Sequence, residues 1–138
     1  MGSAVEVKLL LDTHVWIWSL LDPSRLRAQV AGALTDTTNE KWLSPISVWE
    51  TLLLIERGRV ALSSDGDSWV RSQLTTTPVR QAPFDHEVVL VSRIIALPHQ
   101  DPADRFIAAT ARVHDMTLVT ADARLLTKPD GFAVLAAA

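Results

Sequence analysis

The sequence predicts an α/β layer fold with a mostly parallel sheet, and three observations carry that reading. Short apolar runs suited to strands alternate along the chain with segments of helical length. The first run, Lys8–Leu11, does not alternate apolar with polar, as befits a strand covered on both faces. Ser44-Pro45 and Asp101-Pro102 each pair a capping oxygen with a proline where a helix has no N–H bond to lose, and so mark helix starts.

The elements follow in order. After strand one, Thr13 can cap a helix through Leu21. That helix is apolar nearly all round (Val15, Trp16, Ile17, Trp18, Leu20, Leu21), so it is central or covered by a partner. A second helix is expected at Arg25–Leu34, then a polar turn at Thr35–Glu40 and a short strand at Lys41–Leu43. The helix from Pro45 runs to Arg57, and Gly58 stops it. Ser63–Ser68 is loop, Trp69–Thr75 helix and Val79–Gln81 strand. Asp85 caps a helix over His86–Leu97, too long for a typical strand despite its Val and Ile content. The helix opened by Asp101 extends to about Asp115. A strand at Leu118–Thr120, a helical turn at Asp122–Leu126 and a strand near Phe132–Leu135 complete the pattern. No repeat or linker interrupts it, so residues 1–138 form one expected domain.

At 138 residues and 48% apolar content the chain can bury a real core and is not disordered. Its apolar runs fall short of the ~18–20 residues of a membrane span. The N-terminus lacks the basic stretch and apolar core of a secretory signal, so a cytoplasmic protein is expected. Without cysteine there is no disulfide, thiolate nucleophile or Cys-based zinc site. The net charge of −3 argues only weakly against nucleic acid, because arginine, the better phosphate ligand, outnumbers lysine ten to three.

Four acids sit where apolar faces should be buried. Asp12 closes the first strand, and Glu50 lies among Ile46, Leu53 and Leu54 at helical spacing. Asp104 leads the stripe Ile107, Ala108, Ala111, and Asp122 follows the last long strand run. Each has a plain explanation alone: Asp12 as a cap, Glu50 as a solvated helix residue, Asp104 as a first-turn acid, Asp122 as a turn residue. Together they say more. In an open parallel sheet, strand carboxyl ends and the helix starts beyond them gather along one edge, where ligands bind. Buried carboxylates need a compensating cation, and no matching set of lysines or arginines is evident. Oxygen-only donors suit Mg²⁺ or Mn²⁺.

Leu9-Leu10-Leu11-Asp12-Thr13-His14-Val15-Trp16 resembles the opening motif of PIN domains, particularly the VapC-type toxin ribonucleases of bacterial toxin–antitoxin pairs. Ser47-Val48-Trp49-Glu50, His99–Ala111 and Leu118-Val119-Thr120-Ala121-Asp122 are similar to that family's second, third and fourth acidic motifs, in the same order. Ala103 stands where relatives usually carry a bulky apolar residue. The resemblance implies a three-layer α/β/α fold with a parallel five-stranded sheet. It also implies a Mg²⁺- or Mn²⁺-dependent endoribonuclease and an antitoxin partner. Asp12, Glu50 and Asp104 match the core metal-binding acids, and Asp122 the more variable fourth.

On this reading the acids hold the metal, and hydrolysis leaves a 3′-hydroxyl and a 5′-phosphate. Thr13 and Thr120 are candidate supporting hydroxyls. Asp101 is explained by its cap position, and Arg105 could meet phosphate or a neighbouring acid. His14, His86, His99 and His114 show no zinc spacing, and packing is the preferred account of His14. The five tryptophans suit core or interface better than base stacking. Excess apolar surface on the helices at Thr13–Leu21 and Pro45–Arg57 predicts a homodimer and an antitoxin laid across a groove. Two other hydrolase-like readings fail on the residues. A haloacid-dehalogenase-like phosphatase needs an acid where His14 stands, and a receiver lacks its paired acids despite the late Lys128. A housekeeping RNA-processing nuclease and a catalytically silent, metal-stabilised RNA-binding or interaction module stay open as alternatives.

Overall fold

Five parallel strands form one sheet in the order β3-β2-β1-β4-β5, comprising β1 (Lys8–Leu11), β2 (Glu40–Leu43), β3 (Arg80–Gln81), β4 (Thr117–Thr120) and β5 (Ala133–Ala136). The structure is a computed structural model that describes residues 7–98, 100–127 and 130–138. The Met1-Gly2-Ser3 start, His99 of the third motif and Lys128 lie outside the described residues.

Alternate residues of a strand face opposite sides, and the sheet is buried on both. Leu9 and Leu11 of β1 share a core with Val119, with Val15 and Trp16 of α1 (Thr13–Leu21), with Val30 and Leu34 of α2 (Ala28–Thr35), and with Val70 of α4 (Gly66–Thr76). Leu10 and Leu118 face the other way, against Ile107 and Ala111 of α6 (Pro102–Val113) and Leu125 of α7 (Ala123–Thr127). Behind α6 lies α5 (His86–Ile94), where Val88 and Val91 pack on Ala108 and Ala109. Each fully buried Leu of this set stabilises the fold by roughly 2 kcal/mol. The layers are helix, sheet, helix, as the resemblance implied. Between them, α3 (Pro45–Glu56) touches α1, α4 and α6. No helix among the described residues is long and apolar enough to cross a membrane.

Boundaries shift where local chemistry was misjudged. Asp12, not Thr13, caps α1, its carboxylate accepting the Thr13 N–H at 2.9 Å. The helix expected from Arg25 divides: Pro23–Arg25 is one 3-10 turn, and α2 starts at Ala28. Leu26 and Arg27 are extended between them, with the Arg27 N–H bonded to the Ala137 carbonyl at the sheet's far edge. Helix α4 begins three residues early because Asp65 caps it through the Ser68 N–H. Helix α5 stops at Ile94, short of Leu97. The chain turns extended at Ile95, whose N–H still closes the last turn on the Val91 carbonyl. Gly58, at φ 70°, follows α3 as expected.

Candidate functional site

Strand β1 runs between β2 and β4, so the chain leaves it toward one side of the sheet and returns on the other. The carboxyl ends of β1 and β4 flank that reversal, where open α/β sheets leave a crevice. Asp12 follows β1 directly, and Asp122 lies two residues past β4. Glu50 reaches the same place from α3, and Asp104 from the first turn of α6. All four line one crevice of about 500 Å³, with His14, Trp18, Asp101 and Arg124 on its walls.

Asp12 is 7% exposed and held by two donors. Its Oδ1 accepts the Thr13 N–H, and its Oδ2 accepts the Thr120 hydroxyl at 2.7 Å. The same Thr120 oxygen accepts the Asp122 N–H at 3.0 Å, so one hydroxyl joins the first acid to the backbone of the fourth. Burial pushes the Asp12 carboxyl above the usual aspartate value of 3.8, against the opposing pull of Thr120 and Thr13.

Glu50 corrects the sequence reading in part. The stripe mates Ile46, Leu53 and Leu54 are only partly buried, and the fully buried face of α3 is Ser47 and Thr51. Small hydroxyl side chains let α3 approach its neighbours and satisfy themselves: Thr51 donates to the Ser47 carbonyl at 2.7 Å, and Thr13 donates to Ser47 Oγ at 3.1 Å. Glu50 sits one turn beyond Ser47 and is partly buried. Burial raises its pKa first; Thr13 opposes, while Asp12 and Asp101 add to the rise.

The opposite side of the crevice is built differently. Arg124, in the first turn of α7, grips Asp122 with Nε on Oδ1 at 3.1 Å and Nη2 on Oδ2 at 2.8 Å, and Nη2 stands 3.6 Å from Asp104 Oδ2. This arginine escaped sequence reasoning, which found no basic residues matched to the acids. Its signal was available in Asp122-Ala123-Arg124, where an acid before a helix faces an arginine two residues on.

The remaining candidates separate. Asp101 caps α6 through the Ala103 N–H and also lines the crevice. Arg105 is buried, and it donates to the Ser92 and Ile95 carbonyls at 2.8 Å each, tying α6 to the carboxyl end of α5. His14, expected to pack, is exposed on the crevice wall with its ring 6.0 Å from Trp18, because position 14 falls on the solvent side of α1. Of the tryptophans, Trp16 is core and Trp49 is 56% exposed. Ala103 is buried in the first turn of α6.

The donors suit a hard divalent cation in kind. They are carboxylate oxygens converging from four elements, and Asp12 is oriented by a hydroxyl and an amide donor. Among the described residues, however, no three are already gathered tightly enough to hold an ion. Binding one requires the side chains to draw together.

The family model of the PIN domain matches residues 9–130. Ribonuclease VapC22 of Mycobacterium tuberculosis (strain ATCC 25618 / H37Rv) is 36% identical over 120 residues, 85% of this chain and 88% of that protein. The FitAcB crystal structure from Neisseria gonorrhoeae is similar at 26% identity with a TM-score of 0.62, covering 92% of this chain and 96% of the other. DNA-bound VapBC from Salmonella typhimurium shares the fold, with a TM-score of 0.70 at 17% identity over 94% and 98% of the two chains. Matched over most of its length by the family model and by a relative 36% identical, the chain belongs to the PIN-domain family, with a VapC ribonuclease among its relatives.

Proposed function

We propose that this protein is a metal-dependent endoribonuclease, the toxin of a toxin–antitoxin pair. The observation that carries the proposal is the convergence of Asp12, Glu50, Asp104 and Asp122 on one open crevice at the sheet reversal. Asp12, Glu50 and Asp104 would hold Mg²⁺ or Mn²⁺, and Asp122 would join them. When bound, such an ion lowers the pKa of a water and offsets the charge that develops on the phosphate. The chain's own part is to fix the donors. Thr120 aims Asp12, and the buried Thr13–Ser47 hydroxyl pair sets the height of α3 and therefore of Glu50. An RNA backbone would enter this crevice past His14 and Trp18, which form one of its walls.

An antitoxin has a place to lie. A groove of about 470 Å³ between α1 and the end of α3 is lined by Ile17, Trp18, Leu21 and Leu54, with Arg25 and Arg59 at its rim. His14 and Trp18 line both this groove and the acid crevice, so a segment seated in the groove would reach the acids. Self-association belongs to the same proposal. Leu90 and Ile94 on α5, 64% and 71% exposed, are the most exposed large apolar side chains among the described residues.

The test is RNA incubated with the antitoxin-free chain in Mn²⁺ and in EDTA, beside Asp12→Asn and Asp104→Asn. Cleavage should require Mn²⁺ and vanish in both variants. Equal cleavage in EDTA would refute metal dependence. RNA binding without cleavage would favour the silent-module reading.

A further inference from the structure

The acid crevice has two unlike halves. Asp12 is braced by a hydroxyl and a backbone donor, whereas both Asp122 oxygens are engaged by the Arg124 guanidinium. The Arg124 backbone N–H also bonds Asp122 Oδ1 at 2.9 Å, which seats the side chain before the guanidinium closes its fork. The same Nη2 stands 3.6 Å from Asp104, a carboxylate whose side chain is 11% exposed. A cation is thus already present between two of the four acids.

We propose that Arg124 is a resident counter-ion that competes with the divalent cation and so sets the affinity of the crevice for metal. The inference rests on the metal-binding reading above. A metal ion taking an Asp122 oxygen must share it with, or displace, a nitrogen now 2.8 or 3.1 Å from it. It must also approach a positive charge, and the half-exposed guanidinium repels it modestly, since solvent screens part of the interaction. Arg124 is suited to leaving, because its side chain is 54% exposed and its stem sits on a one-turn helix at the crevice mouth. In metal-free protein the guanidinium balances the acids and spares the fold their mutual repulsion. In metal-loaded protein it stands aside. Lysine in its place would keep the charge but lose the two-point grip, and glutamine would lose both.

The experiment is calorimetric titration of Mn²⁺ into the full chain as wild type, Arg124→Lys and Arg124→Gln, with thermal melts of each in EDTA and in Mn²⁺. Arg124→Gln should bind Mn²⁺ about tenfold more tightly, the ratio that follows from removing a modest repulsion. It should melt lower than wild type in EDTA and gain more on adding Mn²⁺, with Arg124→Lys between the two. Arg124→Gln binding Mn²⁺ with equal or weaker affinity overturns the counter-ion role, and weaker binding would make Arg124 a positioning residue for Asp122. No Mn²⁺ binding by any of the three proteins would instead sink the metal reading itself. Circular dichroism in EDTA verifies that each variant is folded.

Discussion

Thr120 donates its hydroxyl to Asp12 across 108 residues of sequence, at 2.7 Å, while accepting the Asp122 N–H on the same oxygen. Strands β1 and β4 are adjacent, with Leu11 in register with Val119, and this pairing brings the two residues together. Thr120→Val should therefore leave one carboxylate oxygen and one N–H poorly satisfied, at a cost of about 1–3 kcal/mol. RNA cleavage should fall roughly 10–100-fold even at saturating Mn²⁺, since support for a metal ligand is lost. Thr120→Ser should restore most of both, as read by denaturant titration and cleavage rate. Equal behaviour of the Val and Ser variants would show that the hydroxyl does not matter.

Asp12→Asn separates chemistry from stability. Burial holds the folded-state pKa of Asp12 above its unfolded value near 3.8, so protonation favours the folded chain. That contribution is complete below the unfolded pKa and is lost as pH rises through the folded-state value. In EDTA at neutral pH the variant should be more stable than wild type, because an uncharged amide replaces the buried carboxylate. The advantage should shrink as pH falls and wild-type Asp12 protonates. Denaturation curves across that range check both sign and trend, and a constant difference would refute the explanation.

Ser47 is fully buried where α3 meets Thr13 of α1. Ser47→Val adds bulk there and removes the acceptor for the Thr13 hydroxyl, so it should cost about 1–3 kcal/mol. By moving α3 it should also displace Glu50 and weaken Mn²⁺ binding, which a titration would detect.

Arg105 offers the contrasting case. Its guanidinium serves the carbonyls of Ser92 and Ile95, so Arg105→Met should destabilise the fold by roughly 3 kcal/mol. Mn²⁺ affinity of the folded fraction should not change. A loss of metal binding with stability intact would put Arg105 in the site after all.

Leu21, 44% exposed on the groove wall, should matter to the antitoxin and not to RNA cleavage. Leu21→Glu is expected to weaken antitoxin binding by about tenfold or more, as loss of a central apolar anchor does. Cleavage by the free protein should be unaltered. Unchanged antitoxin affinity would place the partner elsewhere.

Much of the architecture was legible because its causes are local. Ser44-Pro45 and Asp101-Pro102 start α3 and α6 where they were expected, since a capping oxygen and a fixed φ act within one turn. The unalternating Lys8–Leu11 run is buried at Leu9, Leu10 and Leu11. The acids were visible as carboxylates out of keeping with their surroundings, and their order along the chain matched a known family. The split of the second helix was not legible, because it answers to Ala137, far along the sequence.

By itself, then, the sequence determined the alternation of elements, their caps and which carboxylates stand at strand ends and helix starts. Those follow from short-range sterics, hydrogen bonds and apolar periodicity. Only the tertiary structure decided that β1 lies between β2 and β4, that Ser47 and Thr51 rather than the leucines form the inner face of α3, and that Arg124 closes on Asp122 and Asp104. The reason is physical: strand order and charge pairing depend on which surfaces meet in space, and a linear pattern of residue types does not contain those distances.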